Sequence, residues 1–319
     1  MPIATALTRT LAIRHPLVQA PMAYVAGGEL AAAVSEAGGL GLIGGGYGEP
    51  EWMAAQLAAA RGVPVGVGFI TWRLDADRTA LDLALAARPR AVLFSFGDFT
   101  PYVDAVRARG AQVLAQVQSV AQARAAAAAG ADVLIAQGCE AGGHAGSRAT
   151  LALVPAVVDA VDPVPVVAAG GIADGRGIAA ALMLGAAGAM LGTRFYASRE
   201  ALAHARAKQA LVDASGDDTV RGAVFDRLRE RMWPPGYSLR TLANELTRRY
   251  PGDASALDAD MAAVRAAYNQ AVEDGDLRRA AVIVGEVSDL VRDLPSAAEL
   301  VARLIEETGR VLRAAARYV

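Results

Sequence analysis

Along the first two hundred residues, short apolar runs alternate with longer stretches whose apolar positions recur every three or four residues. That is the pattern of buried strands alternating with amphipathic helices. The runs predict strands at 17–20, 40–43, 63–69, 91–94, 112–116, 133–137, 164–168 and 189–191. Helices are expected over 28–37, 51–61, 76–87, 101–109, 120–129 and 151–161, with a seventh carrying Ile178, Leu182 and Leu184. The alanine-rich stretch 120–129 reads as helix because alanine has the highest helix propensity and Gly130 supplies a stop.

Strands separated by helices imply parallel pairing. Nearly every strand ends in glycine or polar residues, which would gather into one functional rim. An α/β fold of the (β/α)8 TIM-barrel type follows, with an open doubly wound sheet as the alternative. After residue 200 the pattern changes. Helical stretches are expected at 201–212, 240–248, 259–275 and 297–315, without strand alternation apart from an ambiguous 281–284. The expected organisation is therefore a barrel over 1–200, a helical insert over its mouth at 201–290, and a C-terminal helix at 291–319 packing back on the barrel.

Composition narrows the partners. Hydrophobic residues make up 54% and the net charge is −2, without a basic or acidic block, so neither nucleic acid nor an anionic membrane is indicated. Lys208 is the only lysine, which argues against Schiff-base chemistry. A single cysteine, Cys139, excludes an intrachain disulfide and a multi-cysteine metal centre. Histidines and carboxylates at ligand spacing are lacking, so no metal is expected. The N-terminal MPIATALTRTLAIRHP has no apolar run of the secretory kind, and the uncharged stretch 177–193 is short for a membrane span. Together these predict a cytoplasmic protein acting on small molecules, and they leave a homodimer open.

The candidate chemistry sits at strand ends. Residues 164–194, VPVVAAGGIADGRGIAAALMLGAAGAMLGTR, read as strand, glycine turn, helix, glycine turn, strand. Gly170-Gly171 and Gly192-Thr193 would set two groups of free N–H donors side by side, a phosphate cradle after strands seven and eight. The loop after strand six, AQGCEAGGHAG, carries His144 among Gly142, Gly143 and Gly146. A histidine there can exchange a proton near neutral pH, so His144 is the candidate general base. His15 and His204 read as structural or exposed, Cys139 as packing without an activating partner, and Asp174 with Arg176 as a helix brace. Tyr24, Tyr47, Trp72, Trp233 and Tyr237 are candidate pocket walls, and the loop from Trp233 through Pro234, Pro235 and Gly236 to Tyr237 could carry two rings towards the rim. Gly66 and Gly68 inside the third strand suggest that something approaches the backbone closely.

The segments QAPM (19–22), AGGLG (37–41), AQGCEAGGHAG (136–146), AAGGIADGRG (168–177) and GTRF (192–195), as an ordered set, resemble those of the nitronate monooxygenases. The resemblance implies a TIM barrel holding FMN, with oxidation of alkyl nitronates or nitroalkanes by O2. It further implies that Pro21, Met22 and Ala23 lie against the flavin and that Gln116 and Gln137 line its ring. Gly142, Gly143, Ala169, Gly170, Gly171, Met190, Leu191, Gly192 and Thr193 would hold ring edge or phosphate, and His144 matches the family's active-site histidine. Many members carry Asn within a VNL segment of the third strand. Here the segment is Val67-Gly68-Phe69, so one side-chain contact is missing. An NAD(P)H-dependent quinone or enoyl-thioester reductase, and a non-catalytic flavin-binding protein, are the alternatives.

Overall fold

A run that is buried on both faces has no polar side to offer water, so the apolar runs of the first two hundred residues pair in parallel with helices covering them. In the computed structural model, residues 3–315 and 317 are described. Positions 1, 2, 316, 318 and 319 of the expected segments lie outside them. In chain order the strands are β1 (Leu17–Gln19), β2 (Leu40–Gly44), β3 (Gly66–Ile70), β4 (Ala91–Ser95), β5 (Gln112–Val117), β6 (Val133–Gln137), β7 (Gly143–Ala145), β8 (Val166–Ala169), β9 (Gly188–Leu191), β10 (Thr219–Gly222) and β11 (Ser238–Leu242). Strands β1 to β6, β8 and β9 form a closed parallel barrel, with β9 paired back to β1. The α/β barrel expected from the strand pattern is the observed fold.

Within the barrel, alternate side chains divide between two cores, as the period of two requires. Val18, Leu42, Leu93, Leu114, Ile135, Val167 and Met190 belong to the interior cluster. Leu17, Ile43, Val67, Val92, Val113, Leu134 and Leu191 belong to the layer between strands and helices. A short helix, Ala6–Thr10, which the apolar pattern did not predict, adds fully buried Leu7 to the interior cluster. Its cap residue Thr5 also donates from its hydroxyl to the carbonyl of Ala187, tying the chain start to the last βα unit. The final long helix, Ala297–Ala315, buries Leu300, Val301 and Leu304 and packs on the helices Gly175–Met183 and Gly28–Glu36. Each such side chain contributes about 1.5–3 kcal/mol. Among the described residues no helix is long and apolar enough to cross a membrane.

Two expectations change. Strand β3 starts at Gly66 rather than 63, because Pro64 has no amide to donate and the Val63 amide closes a turn onto the Ala60 carbonyl. Beyond residue 200 the chain is not only helical. Strands β10 and β11 pair antiparallel, and β11 continues onto β7, giving a three-stranded sheet within what reads as loop and helix. The helix expected over 240–248 splits into β11 and a short helix, Glu245–Arg249, whose cap Asn244 accepts from the amides of Leu246 and Thr247.

At the glycines of β3 the protein's own side chains approach closely, and Gly68 also lines the cavity. A Cβ on Gly68 would stand 2.3 Å from Cγ of Pro21, and one on Gly66 would stand 2.3 Å from Cδ2 of Leu42. A side chain at the position where the resemblance implies Asn would therefore meet the Pro21 ring. Gly68→Ala is expected to overpack this contact and cost about 1–3 kcal/mol, read as a fall of a few degrees in melting temperature. An unchanged melting temperature would show that Pro21 yields freely.

Candidate active site

Strands β3 to β6, β8 and β9 and the loops that follow β1 and β2 line one cavity at the C-terminal end of the barrel, about 1410 Å³ including its open mouth. Pro21, Met22, Ala23, Gln116, Gln137, Gly142, Gly143, His144, Ala169, Gly170, Gly171, Met190, Gly192 and Thr193 all line it. Leu191 does not. Consecutive strand residues face opposite sides, so with Met190 turned to the interior Leu191 is fully buried towards the helices.

On one part of the wall the backbone is bare. Gly170 and Gly171 adopt φ of 91° and 70°, the left-handed region in which a side chain is strained. The amide N–H groups of Gly171, Gly192 and Thr193 have no hydrogen-bond partner among the described residues, whereas the pairing of Ala169 with Met190 turns the Gly170 amide to the Met190 carbonyl. Because buried amides are nearly always paired, three unpaired ones on a cavity wall are free for an acceptor. The Thr193 hydroxyl accepts from the Gly285 amide at 2.9 Å, which fixes the loop against the later chain. Asp174, the N-cap of the next helix, accepts from the amides of Arg176 and Gly177 and pairs with the Arg176 side chain. Both residues thus brace the helix start.

A row of side-chain amides crosses adjacent strands. The Ser95 hydroxyl donates to Oε1 of Gln116, the Gln116 amide donates to Oε1 of Gln137 at 2.9 Å, and the Gln137 amide donates to the His144 carbonyl at 3.2 Å. Gln118 adds a second donor to Oε1 of Gln137. Strand register brings this row together, since β4, β5 and β6 are neighbours whose side chains share a face. The row ends at β7 and so positions His144.

His144 is held from several sides. Its backbone lies in the small sheet opposite Leu239. Its Nε2 stands 2.8 Å from Oδ2 of Asp226, on the helix Val224–Leu228. The Trp233 ring stacks on the imidazole, with centroids 3.4 Å apart and planes 12° from parallel. Burial pushes the His144 pKa below the ordinary imidazole value, and Asp226 opposes that shift without cancelling it. A carboxylate is an acceptor, so the pairing puts the proton on Nε2 and leaves the Nδ1 lone pair. Nδ1 has no hydrogen-bond partner among the described residues. The arrangement is a buried, oriented imidazole in a mostly apolar chamber.

Aromatic rings complete the chamber. Tyr24, Tyr47, Phe96 and Trp233 line it. Trp72 packs behind Trp233 at 5.7 Å and Tyr237 behind Phe96 at 5.0 Å, so these two support the wall without forming it. Cys139 lies outside the lining, and burial pushes its thiol up, away from the reactive thiolate. Among the remaining histidines, His204 caps a helix through Nδ1.

Asp226, Arg229, Ser95, Gln118 and Phe96 went unnoticed in the sequence. Asp226 lies in FDRLRER, where an Asp three residues before an Arg reads as a solvated surface pair. Nothing local reveals that this helix folds over the barrel mouth.

Comparison with known proteins agrees with this geometry. The family model described as nitronate monooxygenase matches residues 4–71 and 70–307. The nitronate monooxygenase npaC of Metarhizium robertsii is 36% identical, over 94% of this chain and 92% of its own. Among solved structures, FabK from Thermotoga maritima superposes with a TM-score of 0.86 at 33% identity, covering 99% of this chain and 100% of its own. Nitroalkane oxidase from Streptomyces ansochromogenes superposes with a TM-score of 0.81 at 32% identity, covering 97% and 99%. With the family model matched along nearly the whole of this chain and relatives of this similarity, the chain belongs to the nitronate monooxygenase family.

Proposed function

We propose that this chain is an FMN-dependent nitronate monooxygenase that oxidises alkyl nitronates, and nitroalkanes after deprotonation, to carbonyl compounds and nitrite with dioxygen. The observation that carries the reading is a buried His144 fixed by Asp226 in the same cavity as three unpartnered amides. Those amides suit the FMN phosphate, while Pro21, Met22 and the Gln116–Gln137 pair suit the flavin ring. When bound, FMN supplies the one-electron chemistry that links nitronate oxidation to dioxygen, which no side chain here provides.

The protein's own part is proton transfer, orientation and exclusion of water. His144 Nδ1 takes the proton from the carbon beside the nitro group. Asp226 holds the ring tautomer and stabilises the imidazolium that forms. Trp233 covers one face of the imidazole and keeps water from it. In this reading residues 201–290 serve as the cap over the barrel mouth and the segment from 291, with its helix Ala297–Ala315, completes the barrel, and the protein works on small molecules in the cytoplasm.

The test is aerobic turnover of a nitronate without pyridine nucleotide. Nitrite and a carbonyl compound should appear as dioxygen is consumed. Turnover that requires NADH or NADPH would instead favour a reductase, the alternative that shares these glycine segments.

Asp226→Asn tests the dyad through pH. Neutral His144 is the active form, so activity on a neutral nitroalkane should rise with pH through the His144 pKa and level off. The carboxylate is the charge that raises that pKa. Removing it moves the rising limb to lower pH, and the plateau falls by up to about 10²–10⁴-fold as the tautomer is released. A limb that stays in place would show that Asp226 does not act on His144.

A further inference from the structure

We propose that Arg229 is the residue that binds the negative charge of the substrate. This rests on the nitronate reading above. Among the described residues that line the cavity, Arg229 is the only arginine, and no lysine lines it. The other charged groups there are accounted for. Glu140 is taken up by the amide and hydroxyl of Thr150, and His144 is held as the neutral base.

The neighbouring arginines are committed elsewhere. Arg221 donates to the carbonyls of Cys139 and Ser238. Arg231 lies over the Tyr47 ring, 3.9 Å from its centroid, and pairs with Glu49 at 3.8 Å. Neither lines the cavity.

Arg229 is braced but not exhausted. Its Nε donates to the Phe225 carbonyl at 3.0 Å, and its Nη2 stands 3.3 Å from Oδ1 of Asp226. Nη1 has no hydrogen-bond partner among the described residues. Asp226 divides its two oxygens between His144 and Arg229, so one carboxylate sets both the base and the cation. A nitronate is planar and carries its charge on two oxygens. A guanidinium with donors to spare matches it better than it matches the neutral nitroalkane. The site therefore favours the anion, on a cation tied through Asp226 to the group that produces it.

The test uses the flavin-loaded protein and two variants, Arg229→Gln and Arg229→Lys. Calorimetric binding of isobutyrate, a carboxylate with the shape of a nitronate, is compared with binding of the neutral isobutyramide. In Arg229→Gln the carboxylate should bind about 10- to 100-fold more weakly while the amide changes little, and KM for the matching nitronate should rise with the carboxylate Kd. Arg229→Lys should recover part of both, since it restores the charge without the fork. Equal weakening of acid and amide, or an unchanged nitronate KM with loss confined to kcat on the nitroalkane, would overturn the proposal and leave Arg229 as a brace for Asp226. Wild-type protein that binds isobutyrate through Arg229 but does not turn over nitronate would sink the parent reading alone.

Discussion

His144→Asn should keep its flavin and lose turnover of neutral nitroalkanes by about 10²–10⁴-fold, the range that a positioned general base supplies. Preformed nitronate should suffer much less, because its proton is already gone. The contrast follows from the geometry. The imidazole has Nε2 tied to Asp226 and one face under Trp233, leaving Nδ1 to act on the substrate, and it makes no contact that the cradle needs. Stopped-flow mixing of the variant with a nitroalkane and with its nitronate checks the prediction. Equal and small losses on both would remove His144 from the role of base.

Gly192→Asp should yield folded protein without flavin. At Gly192 a Cβ meets only Ala20 Cβ at 3.5 Å and Met22 Sδ at 3.8 Å, ordinary contacts that the fold accommodates. The new carboxylate would, however, bring a negative charge into the cavity that Gly171, Gly192 and Thr193 line. Against a bound phosphate at about 4 Å it costs about 4 kcal/mol at an effective dielectric of 20, close to 10³-fold in affinity. Flavin titration followed by fluorescence measures the loss, and thermal melting of flavin-free protein shows whether the fold survives. Retained affinity for FMN would move the phosphate site elsewhere.

The barrel was legible because its strands are short β-rich runs buried on both faces and each is punctuated by glycine or proline. The turn after β8 was legible for a related reason: glycine takes the left-handed backbone of positions 170 and 171 without strain, so composition there carries geometry. The cap was not. Ser-Leu-Arg-Thr-Leu of β11 places buried Arg240 inside the strand, paired with Glu286, and this breaks the apolar alternation by which strands are recognised. Its partner β7 is three residues long and lies in a glycine loop far back in the chain, so neither strand announces the pairing. Asp226 stayed hidden for the same reason. Its chemistry comes from a tertiary contact with His144, across 82 positions of sequence. Trp233 was placed at the rim by its loop, but its stacking on the imidazole depends on how the cap folds down.

Leu191 shows the other limit. The resemblance put it with Met190 at the cofactor, whereas strand alternation turns it into the helix layer. A motif names a stretch of chain, and the pleat decides which of its side chains face the cavity.

The most direct measurement is the visible absorbance of the purified protein during anaerobic additions. The account predicts a yellow protein whose flavin band bleaches on adding an alkyl nitronate and is unmoved by NADH or NADPH. A flavin that bleaches with NADH and ignores the nitronate would contradict it.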